Sequence, residues 1–292
     1  MSDDLRVVYQ SGNRADCSDR ALVLAAVQIP FQIVDDALSC ALIVPAEFSA
    51  QAMQQLMQYD DENPPVVRCK PTPIVYQNAI PGLLGYALVI CAVAAIVTSA
   101  PLAQDWYVAG RVDGALIRAG EWWRTVTALT LHAGLQHLVG NLLFGLLFGL
   151  FAGRLLGSGV AWLAILLAGA TGNALNTLLL ESTHRAIGAS TAVFAALGLL
   201  AGYVWRSKLV RQDHWPYRVG PIVGGFALLM YTGTGNENTD VGAHLLGFLS
   251  GLASGMLLAA ARDHLRNTRL QLACGLLAIA IVIAAWFAAL HT

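Results

Sequence analysis

Long apolar segments recur along this chain from about residue 78 to its end, and no other feature limits its possible folds as strongly. Most are close to 20 residues long, the length that a helix needs to cross about 30 Å of hydrocarbon. Charged residues make up only 12% of the chain, against about 25% in a soluble domain. Seven segments fit this description, near residues 79–100, 136–156, 158–180, 189–205, 219–233, 240–261 and 270–290. We therefore predict an all-α polytopic membrane protein.

The first 63 residues have a mixed composition that predicts a separate soluble module. Strand-like and helix-like stretches follow one another in the order β-α-β-β-α, which is typical of a small α+β domain. Four prolines between residues 63 and 73 predict a stiff linker. The predicted organisation is a cytosolic α+β module over 1–63, a Pro-rich linker over 64–77, a membrane domain over 78–265 and an extra C-terminal transmembrane helix over 266–292.

The charge and cysteine content exclude several classes of function. The net charge is −1 and no basic stripe is present, so we expect no nucleic-acid partner. The five cysteines are scattered without the spacing of a disulfide framework or a metal site. We therefore expect neither a metal nor another cofactor. The acidic, mixed N-terminus is not that of a cleavable signal or transit peptide.

The distribution of lysine and arginine predicts how the chain crosses the membrane, because cytoplasmic loops are enriched in both. Ten fall on the side of residue 70, namely Arg68, Lys70, Arg154, Arg206, Lys208, Arg211, Arg218, Arg262, Arg266 and Arg269. Four fall on the other side, namely Arg111, Arg118, Arg124 and Arg185. We therefore predict a multi-pass membrane protein, in a bacterial inner (plasma) membrane, with its N-terminus in the cytoplasm.

Polar side chains inside apolar helices mark function by default, because burying them in a bilayer is costly. His137 and Asn141 are four residues apart near the external start of the second segment, so they share a helix face. Ser190 opens the fourth segment, and His244 lies one turn inside the sixth. A hydroxyl, an imidazole base and donors for an oxyanion are the requirements of nucleophilic catalysis. The backbone N–H of Ser190, at a helix N-terminus, is one such donor.

Four stretches, in order along the chain, resemble the rhomboid intramembrane serine proteases. They are "EWWR" (121–124), "HAGLQHLVGN" (132–141), "GAST" (188–191) and "AHLLGFLSG" (243–251). The resemblance covers roughly residues 78–265 and implies a six-helix core, here followed by a seventh helix. It also implies a catalytic pair in a wet cavity and substrates that are membrane proteins cut in or beside a transmembrane segment.

The resemblance implies a role for each matching residue. Ser190 matches the nucleophile and His244 the base, while His137 and Asn141, with the Ser190 N–H, match the oxyanion-stabilising groups. Gly188, Phe194, Gly247, Trp123 and Arg124 match supporting positions, and Phe194 is expected to pack on the catalytic histidine. Thr191 departs from the family pattern, in which glycine commonly follows the serine.

Simpler interpretations remain open beside this one. Ser190 could be only a helix cap, and His244 only an interhelical hydrogen-bonding group. Asp240, one turn before His244, is interpreted as a solvated residue at a helix start rather than the third member of a triad. The alternative function is a non-catalytic, rhomboid-like protein that binds membrane helices. The sequence does not predict an oligomeric state.

Overall fold

The computed structural model describes residues 4–36, 39–63, 76–99, 103–179, 183–207, 215–233 and 240–292. The chain divides into two compact units, Met1–Pro71 and Thr72–Thr292, and each is considered by itself. Most of the predicted linker lies outside the described residues, as do Arg68, Lys70, Lys208 and Arg211.

The N-terminal unit is a small α+β fold, as predicted. Its elements are β1 (Leu5–Ser11), α1 (Arg14–Ala26), β2 (Gln32–Asp35), β3 (Cys40–Pro45) and α2 (Ser49–Glu62). The three strands form an antiparallel sheet in the order β1-β3-β2. Side chains alternate along the central strand β3, so Cys40, Leu42 and Val44 are buried in the core formed with the two helices.

The second unit consists mainly of long helices. In chain order they are α3 (Ile80–Ser99), α4 (Ala103–Gly110), α5 (Gly114–Arg118), α6 (Arg124–Thr127), α7 (Leu135–Leu156), α8 (Ser158–Leu179), α9 (Ser190–Ser207), α10 (Trp215–Gly233), α11 (Val241–Ala260) and α12 (Thr268–His291). Two short strands, β4 (Val112–Asp113) and β5 (Arg185–Ala186), pair antiparallel. This pair ties the long connection between α3 and α7 to the segment that leads into α9.

All seven predicted apolar segments form helices, and within the described residues five of these helices are long and apolar enough to cross a membrane: α3, α7, α8, α11 and α12. Helix α9 is shorter, at 18 residues, and 13 of its residues are buried. It contacts α7, α8, α10 and α11, so it is the central helix of the unit rather than one that faces lipid. In α10 the apolar stretch is limited to Val219–Tyr231. The prediction of a polytopic helical membrane protein with a small α+β region is confirmed.

Glycines bring α9 and α11 into backbone contact. On α11, a methyl group added at Gly247, Gly251 or Gly255 would overlap the backbone of α9, at Thr191, Ala195 and Leu199 respectively. On α9, a methyl at Gly198 would likewise overlap the backbone carbonyl of Phe248. Small residues at such spacing let membrane helices approach closely. This contact sets the separation of the two helices that begin near Ser190 and His244.

Helix α12 is attached to the rest of the unit near both of its ends. Near its start, the Gln271 Nε2 donates to the carbonyls of Leu156 (2.7 Å) and Leu265 (2.6 Å), and its Oε1 accepts from the N–H of Val160 (3.1 Å). Near its end, the Trp286 Nε1 donates to the Thr130 Oγ1 at 3.1 Å. The predicted seventh helix therefore holds both the α7–α8 turn and the segment before α7.

We expect Gly251→Ala to destabilise the protein by about 1–3 kcal/mol, because the added methyl has no space and the helices must separate. Thermal unfolding in detergent micelles measures this effect. Gly85→Ala in α3 is the matched control, since nothing lies within 4 Å of its added methyl and alanine favours helix. A Gly251→Ala protein as stable as the Gly85→Ala control would contradict the close-contact interpretation.

Candidate active site

The structure brings Ser190 and His244 together, although 54 residues separate them in the chain. The Ser190 Oγ lies 2.8 Å from the His244 Nε2, which is a hydrogen-bond distance. Ser190 is half-buried as the first residue of α9, and His244 is 7% exposed in the first turns of α11. The Phe194 ring, one turn along α9, packs on the imidazole with ring centroids 4.5 Å apart. The Phe194 side chain therefore contacts the imidazole of His244 directly.

Gly188 shapes the backbone just before Ser190. Its φ of +134° lies in the region that favours glycine. Its N–H donates to the Ala128 carbonyl at 2.9 Å. A methyl added there would lie 2.7 Å from the His137 Cε1 and 2.8 Å from its Nε2. The imidazole of His137 therefore lies directly beside the turn that presents Ser190.

His137 has an assignable tautomer. Its Nδ1 accepts a long hydrogen bond, 3.4 Å, from the backbone N–H of Ala133. Because a neutral imidazole has one donor and one acceptor nitrogen, its proton is on Nε2. That edge faces Gly188, so a ring N–H donor is available next to Ser190.

Two further polar side chains near the start of α7 are buried and have no hydrogen-bond partner among the described residues. Asn141 is 6% exposed and its Nδ2 has no hydrogen-bond partner. His132 is 5% exposed and neither of its ring nitrogens has one. Burial, reinforced by the neighbouring His137, lowers the pKa of His132 to about 4, so its ring is neutral at pH 7. Unsatisfied buried donors are rare in proteins and call for an explanation.

The space around Ser190 can hold water. A cavity of about 20 Å³ adjoins Ser190 and is lined by Ala128, Asn173, Gly188, Thr191 and Asp240, among others. A single water needs about 10–15 Å³ of such volume. The N–H groups of the first turn of α9 have no acceptor within the helix. Ser190 thus begins a helix whose first N–H groups adjoin a space large enough for a water molecule.

Trp123 and Arg124 order the long connection rather than touch Ser190. The buried Arg124 donates from its Nη1 to the carbonyls of Val108 (2.7 Å) and Arg111 (3.2 Å), and from its Nε to Glu121 (2.6 Å). Trp123 packs in the cluster that contains Trp286. The segment held in this way ends at Ala128, whose carbonyl accepts from the N–H of Gly188.

Thr191 fits because glycines surround its side chain. Methyl groups added at Gly172 of α8 or Gly247 of α11 would each lie 2.9 Å from the Thr191 Cγ2. The Thr191 side chain is larger than the glycine that is common at this position. It fits because the two neighbouring helices carry glycines, which have no side chains, at the positions that face it. Gly247, expected to be a supporting residue, has this role here.

Asp240 lies at the start of α11, as predicted, where it is the N-cap residue, but it is not a solvated residue. Its Oδ1 accepts from the Ala243 N–H at 3.0 Å and caps the helix. Its carboxylate also accepts from Asn176 and His184, and its side chain is only 18% exposed. The interpretation of Asp240 as a solvated residue is wrong, because Asn176 and His184 occupy its carboxylate in place of water. Both residues are distant in the chain, so the sequence did not indicate this contact.

Sequence reasoning missed two partners of the site. The Tyr86 hydroxyl of α3 donates to the Asn141 carbonyl at 2.8 Å, and its ring covers Gly145. The only signal in the sequence is the glycine, which makes room for the ring. His184 was also missed, since it lies in a polar connection where histidines are common.

Comparisons with known proteins identify the same part of the chain. A family model described as "Rhomboid domain" matches residues 119–261. The rhomboid protease GluP of Bacillus subtilis (strain 168) is 31% identical over 173 residues, which cover 59% of this chain and 33% of GluP. YdcA of the same bacterium is 31% identical over 147 residues, or 50% of this chain and 71% of YdcA. Rhomboid-like protease 3 of Toxoplasma gondii is 34% identical over 134 residues, or 45% of this chain and 49% of that protein.

The comparisons thus agree with the resemblance of the four motifs, although the match spans only a third of the length of GluP. The matched region contains Trp123, Arg124, His137, Asn141, Ser190 and His244. Several relatives and a family model point to one family, and 71% of one relative is covered. This multi-pass membrane protein belongs to the rhomboid family.

Proposed function

We propose that this protein is an intramembrane serine endopeptidase, which hydrolyses peptide bonds in or beside the transmembrane segments of membrane proteins. One observation carries the proposal: the 2.8 Å contact between the Ser190 Oγ and the His244 Nε2 at the ends of two apolar helices. A hydroxyl bonded to an imidazole nitrogen is the arrangement of a nucleophile and its general base. GluP and the Toxoplasma relative are both named as proteases, which supports this activity.

His244 supplies the proton transfers in this mechanism. Its Nε2 takes the Ser190 proton while the Oγ attacks the carbonyl carbon of the scissile bond. The tetrahedral intermediate then expels the amine, which receives that proton from His244, and Ser190 is left acylated. A water molecule repeats the sequence on the ester, releases the new carboxylate and restores the hydroxyl. Both steps use the same imidazole nitrogen.

Three donors stabilise the oxyanion. The N–H of Ser190, at the start of α9, has no acceptor within the helix, and the Nε2–H of His137 lies beside Gly188. The Nδ2 of Asn141 is buried without a partner, which is the state expected of a donor that meets its acceptor only during the reaction. Donors held in place at low dielectric stabilise developing charge strongly. The side-chain amide of Asn141 therefore stabilises the oxyanion in this mechanism.

The substrate class follows from the position of Ser190 in an apolar bundle. A helix hides its carbonyls in its own hydrogen bonds, so a transmembrane substrate must unwind before attack. Unwound backbone at this depth is tolerated only where protein or water satisfies it, and we expect the bound segment to be extended. We further propose that the N-terminal unit is cytoplasmic, following the lysine and arginine distribution.

We expect Ser190→Ala to abolish cleavage of a model single-span membrane substrate, since losing the nucleophile costs about 10⁶-fold in other serine proteases. His244→Ala should lower cleavage comparably. Both variants should also lose labelling by a fluorophosphonate probe. Cleavage is measured by gel shift in liposomes, and folding by thermal unfolding.

Ser254→Ala is the matched control on the helix that carries His244. Its hydroxyl donates to the carbonyl of Ser250 at 2.8 Å, so we expect unchanged cleavage and labelling. A Ser190→Ala protein that still cleaves would reject the assignment. Wild-type protein that binds membrane helices without cleaving or labelling would instead support the non-catalytic alternative.

We expect Asn141→Leu to lower kcat by about 10²–10³-fold, the usual effect of removing one oxyanion donor. Stability should not fall, because the variant removes a buried donor that has no partner. Steady-state kinetics and thermal unfolding measure the two effects separately.

Asn267→Ala is the matched control, in which we expect stability to fall and kcat to stay unchanged. The Asn267 Oδ1 caps α12 by accepting from the N–H groups of Arg269 and Leu270, so its loss should cost about 1 kcal/mol of stability and leave kcat unchanged. If Asn141→Leu kept full kcat, Asn141 would have no part in stabilising the oxyanion.

A further inference from the structure

Asp240 connects three parts of the membrane unit through one carboxylate. Its Oδ1 accepts from the Ala243 N–H of its own helix, at 3.0 Å. The Nδ2 of Asn176, on α8, lies 3.0 Å from Oδ1 and 2.8 Å from Oδ2. The Nε2 of His184 lies 2.8 Å from Oδ2. Donors from α8, from α11 and from the segment before α9 therefore meet at this one side chain.

The direction of these hydrogen bonds can be assigned. An ionised carboxylate only accepts, so both the Asn176 amide and the His184 Nε2 donate to it. The 3.4 Å approach of the Asn176 Nδ2 to the His184 Nε2 then joins two donors and is not a bond. His184 and Asp240 are 19% and 18% exposed, so solvent competes only partly for these contacts.

His184 is itself fixed to the segment that presents the nucleophile. Its carbonyl accepts from the N–H of Gly114 at 3.0 Å, and the next two residues form β5, which pairs with β4. Four residues later, Gly188 is bonded to Ala128. This held segment leads directly into Ser190.

Asp240 lies one helical turn before His244, and His244 donates its backbone N–H to the Asp240 carbonyl at 3.1 Å. The link from His184 to Asp240 thus runs from the segment before Ser190 to the turn that carries the imidazole. Glycine contacts between α9 and α11 are non-directional packing, whereas these hydrogen bonds have defined geometry.

We propose that Asp240, held by His184 and Asn176, is a positioning residue that sets the distance between the Ser190 Oγ and the His244 Nε2. This inference rests on the proposed function, in which that distance governs proton transfer. A misplacement of about 1 Å can cost about 10²-fold in rate. The described hydrogen bonds of the carboxylate go to Ala243, Asn176 and His184, so we assign its action to the backbone on both sides.

The test uses Asp240→Ser, which keeps a good helix cap but is too short to hold Asn176 and His184. We expect kcat to fall about 10- to 100-fold while KM and the unfolding temperature stay close to wild type. His184→Ala should have the same effect without touching the cap. Combining both substitutions should cost no more than either alone, because they remove one shared link.

Two further variants separate positioning from general damage. In His184→Gln the side-chain amide can still donate to Asp240, so we expect it to recover much of the kcat lost in His184→Ala. Arg185→Ala removes the neighbouring ion pair with Asp113, 3.1 Å long, which does not reach α11. This variant should leave kcat within about twofold of wild type, since the distance between the Ser190 Oγ and the His244 Nε2 does not change.

The outcomes distinguish this inference from the function on which it rests. An active wild type with a fully active Asp240→Ser variant would overturn the inference alone. Equal losses in kcat and in the unfolding temperature would also overturn it, since they indicate a structural role only. A wild type that neither cleaves nor labels would overturn the proposed function and this inference with it.

Discussion

The glycine-mediated contact between α9 and α11 is the constraint on which the rest of the membrane unit depends. Ser190 and His244 each lie near the start of one of these helices, so their 2.8 Å separation requires backbones that touch. Any larger residue at Gly247, Gly251 or Gly255 would separate the helices and, with them, the hydroxyl and the imidazole. In lipid, where no hydrophobic force drives helices together, this packing is also a main source of their association. Stability and the geometry of the site therefore have the same origin.

The polar groups of the site, unlike the glycine contact, serve the proposed function at a cost in stability. The side chains of Asn141 and His132 are buried and have no hydrogen-bond partner in the part of the chain that the structure describes, and Gly188 adopts a conformation that other residues avoid. The two unpartnered polar groups cost stability in the resting protein, whereas the conformation at position 188 is accessible because the residue is glycine. Such costs are tolerated where function requires donors or a backbone held ready for a reaction. Surrounding contacts compensate for them, including Tyr86 on α3, the buried Arg124 and the carboxylate of Asp240.

Helix α12 extends this support from outside the six-helix core. Its Gln271 satisfies backbone groups at the turn between α7 and α8, while its Trp286 packs on Trp106 and bonds Thr130. Thr130 lies two residues before His132. The last helix, which is long and apolar enough to cross a membrane, therefore also holds the segment that leads into α7 and its polar residues.

The sequence by itself determined the helices, the α+β order of the N-terminal unit and the family. Apolar length, alternation and four short motifs are local properties that need no knowledge of contacts. It also named Ser190, His244, His137 and Asn141, since polar residues stand out in apolar helices. Only the tertiary structure decided that α9 is central and buried, that Thr191 fits between Gly172 and Gly247, and that Asp240 is bonded to Asn176 and His184. These facts depend on which surfaces meet, and a contact between residues 56 or 64 positions apart leaves no periodic signal in the chain.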